Sequence, residues 1–257
     1  MVSPRMEPDA ISQLVERHFD ALASTYEPKA ANRRAYLEGI DRRIVAHLQA
    51  QPGPLTLLDV GCGPATRSSR LKAQIPGVHL FGCDLSANML QAARQQNLDG
   101  LSRQTMTDLA WASQTFDAVL CLFNSFGYLA TAMQRRRALA AFARVLKPGG
   151  FLLIDVMNLW HLGEGVHFRR SLPRALWEVA RSRLLPGIGV GNKFFRLNVE
   201  GQSVPGFVHG FTHREMRHLL QDAGLEIVRF EIVGYDTGET RSHLTQGQLF
   251  YVARKPR

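Results

Sequence analysis

Between residues 55 and 157, short apolar runs alternate with amphipathic stretches, and this rhythm restricts the fold more than any other feature of the chain. Runs at 55–60, 78–83, 101–106, 116–123 and 151–157 have strand length and strand character. Between them lie helical patterns. One follows Pro64 to about residue 74, and a second spans 86–96 with Ser86 as its N-cap. A third spans 131–146 and is stopped by Lys147-Pro-Gly-Gly150. Strands alternating with helices imply right-handed βαβ units and a mainly parallel sheet, and the turn spacing argues against a sandwich. Further on, Thr212-His-Arg-Glu215 has the form of a capping box, and Met216, Leu219 and Leu220 share the apolar face of the helix it opens. Runs at 225–233 and 248–253, joined by the turn-rich link 234–247, read as an antiparallel pair at the sheet edge.

The first 50 residues have helical periodicity. Ile11, Leu14, Val15, His18, Phe19 and Leu22 share one face. Tyr36, Leu37, Ile40, Ile44, Val45 and Leu48 share a face of a second helix over 32–50, with Pro28 separating the two. After residue 157 the rhythm is lost for about 50 residues, with strand-like runs only at 194–199 and 203–211. The expected organisation is a helical cap (1–50), a core (51–157 and 211–257), and an insertion (158–210) that is a candidate substrate lid.

Hydrophobic residues make up 45% of the 257, enough for a core without covalent staples. Net charge is +9, from 31 basic and 22 acidic residues. The basic residues form short scattered clusters (Arg33-Arg34, Arg42-Arg43, Arg135-Arg136-Arg137, Arg169-Arg170), which reads as a solvated surface and not as a nucleic-acid track. No apolar run reaches the roughly 18 residues of a membrane span, and residues 1–20 lack a signal-peptide apolar region. The expectation is a cytoplasmic monomer or homodimer with no membrane partner. Cys62, Cys83 and Cys121 fit neither a disulfide framework nor a zinc site, so no metal is expected.

The segment Leu57-Leu-Asp-Val-Gly-Cys-Gly-Pro64 runs an apolar strand straight into a glycine bend. This is where open α/β sheets bind ligands, and glycines let a ligand approach the backbone closely. Asp84 follows 23 residues after Gly61, at the end of the second strand, where an acid can accept hydrogen bonds from ribose hydroxyls. A dinucleotide fold shares that arrangement. However, the third glycine of the dinucleotide fingerprint is Thr66 here, and the Asp59 carboxylate would repel a pyrophosphate. The same carboxylate suits an ammonium group, directly or through water. Ribose plus a cationic amino acid, without phosphate, matches S-adenosylmethionine.

These residues resemble the first signature of class I S-adenosylmethionine-dependent methyltransferases. Gly82-Cys-Asp-Leu-Ser86 with Met89-Leu90 resembles their second, Thr107-Asp108-Leu109 their third, and Phe116-Asp-Ala-Val-Leu-Cys121 their fourth strand. Arg144-Val-Leu-Lys-Pro-Gly-Gly-Phe-Leu-Leu-Ile154 resembles the turn and strand that follow. The resemblance implies a Rossmann-like, doubly wound, seven-stranded, mainly parallel sheet whose last strand is antiparallel. It also implies roles in holding the cofactor. The bend at Asp59, Gly61, Cys62 and Gly63 would hold the methionine end and Asp84 the ribose. Leu85 and Met89 would line the adenine, and Asp108, between Thr107 and Leu109, would meet its amino group. Cys121 and Leu122 would approach the methionine through their backbone. Tyr26, on a stretch (Phe19-Asp-Ala-Leu-Ala-Ser-Thr-Tyr26) that resembles a region of small-molecule methyltransferases, would reach the sulfonium. Arg33 or Arg34, with Arg34 preferred, would pair with the carboxylate.

Leu122-Phe-Asn-Ser-Phe-Gly-Tyr128 lacks the two prolines that nucleic-acid amino methyltransferases carry after strand four. It looks more like sugar N-methyltransferases and glycine-type N-methyltransferases. The expected acceptor is therefore an N or O atom of a small molecule, with Asn124 orienting it. An activated sulfonium needs positioning and water exclusion more than acid–base help, but a hydroxyl acceptor gains from a base. His161, His167, His209 and His213 are the candidates, with His209 named first. Other readings are an RNA or protein methyltransferase on the same fold, a non-catalytic S-adenosylmethionine-binding paralogue, and an NAD-type oxidoreductase disfavoured by Asp59 and Thr66.

Overall fold

The computed structural model describes residues 8–161, Trp177, Ala180 and 191–257. Much of the 158–210 insertion, including His167, lies outside the described residues.

The described residues open with α1 (Pro8–Leu22), a single turn of 3-10 helix (Ala23–Thr25), α2 (Tyr26–Ala31) and α3 (Arg34–Gln49). Pro28 does not separate two helices. It sits in the first turn of α2, where a proline forfeits no helical hydrogen bond, and the chain breaks instead at Thr25 and at Asn32-Arg33. The core follows as β1 (Thr56–Val60), α4 (Thr66–Gln74), β2 (His79–Asp84), α5 (Ala87–Ala93), β3 (Gly100–Arg103) and β4 (Phe116–Cys121). A 3-10 turn (Ser125–Tyr128), α6 (Ala132–Val145) and β5 (Leu146–Val156) complete its first half. Then come the hairpin strands β6 (Asn192–Val199) and β7 (Gln202–His209), α7 (His213–Asp222), β8 (Glu226–Val233), β9 (Thr240–Arg241) and β10 (Gln248–Arg254).

The main sheet has the order β3-β2-β1-β4-β5-β10-β8-β9. The first five are parallel neighbours, and β10 pairs antiparallel with both β5 and β8. This is the expected sheet with one addition, since the link read as turns contributes the two-residue β9 at the edge. The β8–β10 pair forms as expected, but β10 lies inside the sheet, where six of its seven residues are buried.

Side chains alternate across the pleat into two cores. Leu57, Leu80, Leu120, Leu153 and Val252 point toward Ile40, Ile44 and Leu48 of α3 and Leu71 of α4. Leu58, Val119, Cys121, Leu152 and Ile154 point toward Leu139 and Phe142 of α6 and Met216 and Leu220 of α7. Two covered faces explain why β1 and β4 read as continuous apolar runs. Local signals set the helix starts. Ser86 Oγ accepts from Met89 N, as expected, and Thr131 forms a complete capping box with Gln134. At Thr212 only half the box forms, because the Glu215 carboxylate turns to His209 and Arg135 instead of back to the cap.

The β6–β7 hairpin forms a separate two-stranded sheet that packs with α1. Phe207 of β7 is buried with Ile11 of α1 and Ala130. Val199 of β6 is buried with Leu22 of α1 and Met89 of α5. Helix and hairpin together make a roof over the carboxyl ends of the parallel strands. Polar latches tie α1 down: Asp20 Oδ1 accepts from Ser86 Oγ and from Asn88 N, Glu16 pairs with Arg103, and Gln134 Nε2 donates to Ser12 Oγ.

Candidate active site

Under that roof lies a cavity of about 950 Å³. Its floor begins at the bend after β1. Gly61 has φ +77°, and a Cβ there would come within 2.8 Å of the Ser125 side chain, so glycine is required both by conformation and by the close approach of the turn after β4. The N–H groups of Gly61 and Cys62 donate to the Cys83 carbonyl, which ties the bend to the end of β2.

Asp84, the last residue of β2, faces the cavity. Its Oδ2 accepts from Gly63 N at 2.8 Å and its Oδ1 from Ser86 N at 2.9 Å. Burial pushes the carboxyl up, and the N–H groups of Ser86, Gly63 and Leu85 pull it back down. Each oxygen keeps a further acceptor site, which is what two ribose hydroxyls need. Leu85, Met89 and Thr107 also line the cavity, beside Gln104, Thr105 and Met106. Asp108 does not. It sits exposed, bonded by its backbone to Thr105, so the cavity wall here is Gln104–Thr107 and not the acid that the sequence suggested. Leu109 is buried in the core.

Asp59 stands one layer behind the cavity wall. It is 5% exposed; Ser68 Oγ donates to its Oδ2, and its Oδ1 has no partner. Burial raises it from the usual 3.8 to about 6, against the pull of Ser68 and Arg67. Cys62 is buried with Ala65, Leu90 and Ala93 under α5. The Cys121 side chain belongs to the sheet core and Leu122 to the opposite core. None of the three puts its side chain in the cavity, and all three thiols (Cys62, Cys83, Cys121) are free and pushed up by burial.

After β4 the chain turns through two left-handed residues, Phe123 (φ 52°) and Asn124 (φ 61°). Asn124 lines the cavity. Its Oδ1 accepts from Met157 N at 2.7 Å, which ties the ends of β4 and β5 together, and its amide lies over Gly127, where a Cβ would come within 2.5 Å. Asp155 of β5 was missed in the sequence because it reads as one polar residue inside an apolar strand. It is buried at the cavity floor, accepting from Tyr36 OH at 2.7 Å and Phe123 N at 2.8 Å. Burial raises its carboxyl, opposed by Arg67 and Tyr36.

The roof contributes Tyr26, packed with Leu22, Met89 and Val199 and with its phenol pushed up by burial. Arg34 is not part of the site. Its side chain is 81% exposed and pairs with Glu38 one turn along the helix. Arg33 lines the cavity instead, 4.2 Å over the Tyr235 ring and 2.9 Å from Asp236. At a helix start, one position of phase decides which of two adjacent arginines faces inward.

His209 is also elsewhere. It is 1% exposed, is not among the cavity-lining residues, and both ring nitrogens are engaged: Nδ1 with Asn192 at 2.6 Å and Nε2 with Glu215 at 3.1 Å. It fastens the hairpin to α7 and has no lone pair to offer. His213 bonds Tyr251 OH on the far side of the sheet. His161 lines the cavity, edge-on to Tyr235. Among the described residues, no cluster of histidine, cysteine, aspartate or glutamate has the geometry of a metal site.

Comparison with known proteins agrees with the fold. Residues 57–150 match the family model described as "Methyltransferase domain". A glycine/sarcosine N-methyltransferase of Parasynechococcus marenigrum is 36% identical over 140 residues, which cover 52% of this chain and 48% of that protein. A protein of Mus musculus named "Probable tRNA methyltransferase 9B" is 32% identical over 152 residues, covering 59% of this chain and 32% of that one. The chain spans about half the length of the first curated relatives it matches. Among solved structures, the Burkholderia thailandensis 1,6-didemethyltoxoflavin-N1-methyltransferase, with its bound acceptor and S-adenosylhomocysteine, superposes with a TM-score of 0.65 at 16% identity. The match covers all of this chain and 94% of that one. Residues 57–150 therefore match a methyltransferase domain, set in the fold of solved S-adenosylmethionine-dependent methyltransferases. Its relatives act on small molecules and on tRNA, so the acceptor class is not given by kinship. No helix among the described residues is long and apolar enough to cross a membrane.

Proposed function

We propose that the chain transfers a methyl group from S-adenosylmethionine to an N or O atom of a small molecule. The carrying observation is Asp84: a half-buried carboxylate, oriented by the N–H groups of Gly63 and Ser86, beside a glycine bend in the wall of the cavity. The residues fit the donor. Asp84 suits the ribose, and the Gly61–Gly63 bend admits the methionine backbone. Arg33 presents a guanidinium to the carboxylate, and Asp59 Oδ1, a buried acceptor without a partner, serves the ammonium through an intervening water.

The donor supplies an already activated methyl group, so the chain's own work is positioning and dehydration. Asp155, Tyr36 and Asn124 fix the β4 and β5 ends where the methyl group would lie. Tyr26, Phe19 and the hairpin residues Phe195, Leu197 and Val208 cover part of the cavity from above. This apolar roof over the cavity favours a small acceptor over a macromolecule. It also supports the assignment of 1–50 and 158–210 as cap and substrate lid on a core of 51–157 and 211–257. Calorimetric titration with S-adenosylmethionine, S-adenosylhomocysteine and NAD tests the reading. Micromolar binding of the first two alone is expected, and binding of NAD alone would overturn it.

A further inference from the structure

His18, on the roof helix, belongs to none of the assignments above. It lines the cavity, with its ring edge-on to Phe19 (5.4 Å between centroids) and Phe195 (5.3 Å). Its Nδ1 lies 3.0 Å from the Pro205 carbonyl of β7. A carbonyl only accepts, so Nδ1 carries the proton and the neutral ring keeps its lone pair on Nε2. Nε2 hydrogen-bonds to no described residue. Burial lowers the proton affinity of the ring; the Pro205 carbonyl raises it and the charge of nearby Lys29 lowers it. Gly206 keeps this arrangement in place, because a Cβ there would meet the Phe195 ring at 2.5 Å and His18 Cε1 at 3.0 Å.

Lys29, on α2, lines the same cavity. Its ammonium is buried and hydrogen-bonds to no described residue. A buried charge without a partner is costly, and a ligand that brings an anionic oxygen removes that cost.

We propose that His18 and Lys29 together activate an acidic hydroxyl, phenolic or enolic, on a ring-bearing acceptor, which makes the transfer an O-methylation. The proposal rests on the methyltransferase reading and names its acceptor class. His18 Nε2 takes the hydroxyl proton while Lys29 Nζ holds the developing oxyanion. The oxygen–methyl bond forms as the methyl–sulfur bond breaks, and that electron pair stays on sulfur as a thioether. The imidazolium is held by the Pro205 carbonyl until the proton leaves to solvent. A flat apolar ring suits the walls that Phe19, Tyr128, Phe195 and Leu197 supply. The lysine's charge disfavours an acceptor that arrives as a cationic amine.

The probe is 4-nitrophenol, whose anion absorbs where the neutral phenol does not. It is titrated into the full chain, with and without S-adenosylhomocysteine, at a pH where the free probe is mostly protonated. The wild type is expected to bind the probe and develop the phenolate band. His18→Gln should bind it with the band lost, and Lys29→Met should bind it with the band weakened. With S-adenosylmethionine present, formation of 4-nitroanisole should fall about 100-fold in His18→Gln. S-adenosylhomocysteine affinity should stay unchanged in both variants, which shows that they fold. No probe binding, or a band that survives in both variants, overturns the proposal. Failure of the wild type to bind S-adenosylhomocysteine strikes the methyltransferase reading instead, and the titration without it still reads the His18–Lys29 pair.

Discussion

Gly63 N donates to Asp84 Oδ2 across 2.8 Å, so the bend after β1 and the acid at the end of β2 are one unit and not two independent motifs. Replacing Asp84 therefore removes a ligand for the ribose and a support for the bend together. Asp84→Ala is expected to weaken S-adenosylmethionine binding by about tenfold or more, since hydrogen bonds to a charged group contribute about 1.5–3 kcal/mol. Calorimetric titration checks this, and unchanged affinity removes Asp84 from the site.

The two neighbouring arginines should behave oppositely. Arg33→Ala is expected to weaken donor binding by about tenfold through loss of a carboxylate partner. Arg34→Ala should leave binding unchanged and move stability by less than about 0.5 kcal/mol, because its solvated pair with Glu38 contributes little. Equal effects from both would return the carboxylate contact to an open question.

Gly61→Ala should be costly even though only one methyl group is added. The residue would sit at φ +77° with its Cβ 2.8 Å from Ser125. A loss of about 1–3 kcal/mol is expected from the strained backbone, seen as a lower Tm, together with lost donor binding. A variant as stable as the wild type would show that the turn after β4 can retreat.

Asp59 gives the stability a pH signature. Its carboxyl titrates near 6 in the folded chain against 3.8 as an ordinary aspartate. The folded state therefore holds a proton that the unfolded chain has already released. The contribution is favourable below about pH 4 and declines as pH rises toward 6, by about 3 kcal/mol in all. Denaturant melts of Asp59→Asn against wild type should differ in slope across that window. Donor binding near pH 6 should also release a proton, as the ammonium favours the carboxylate. Identical pH profiles would count against it.

His209→Ala should lower stability by about 1–3 kcal/mol, removing the partner of Asn192 Oδ1 and one of the two partners of the Glu215 carboxylate, while donor affinity stays the same. Thermal melts alongside donor titration separate the two. Lost donor affinity in a stably folded variant would place His209 back in the site.

The parallel half of the sheet was legible because β1 and β4 are buried on both faces, and continuous apolar runs say so directly. The glycine bend and Asp84 were legible because their chemistry is local, within a strand and its following turn. What the sequence concealed depends on rotation and on distant partners. Arg33 and Arg34 differ by a single helical step. Asp155 is polar inside an apolar run, and only its meeting with Tyr36, 119 positions away, explains it. His209 and His18 are interchangeable on paper. One has both nitrogens consumed by Asn192 and Glu215, whereas the other has a proton fixed by a hairpin carbonyl nearly two hundred residues along. Asp108 matched the family pattern in order but not in direction.

The latches on α1 have a kinetic consequence. Ser12, Glu16 and Asp20 each hold a different part of the core, so lifting the whole of the roof helix breaks three separate contacts. Where lifting of this roof limits exchange with solvent, raised ionic strength, which loosens the Glu16–Arg103 pair, should speed it.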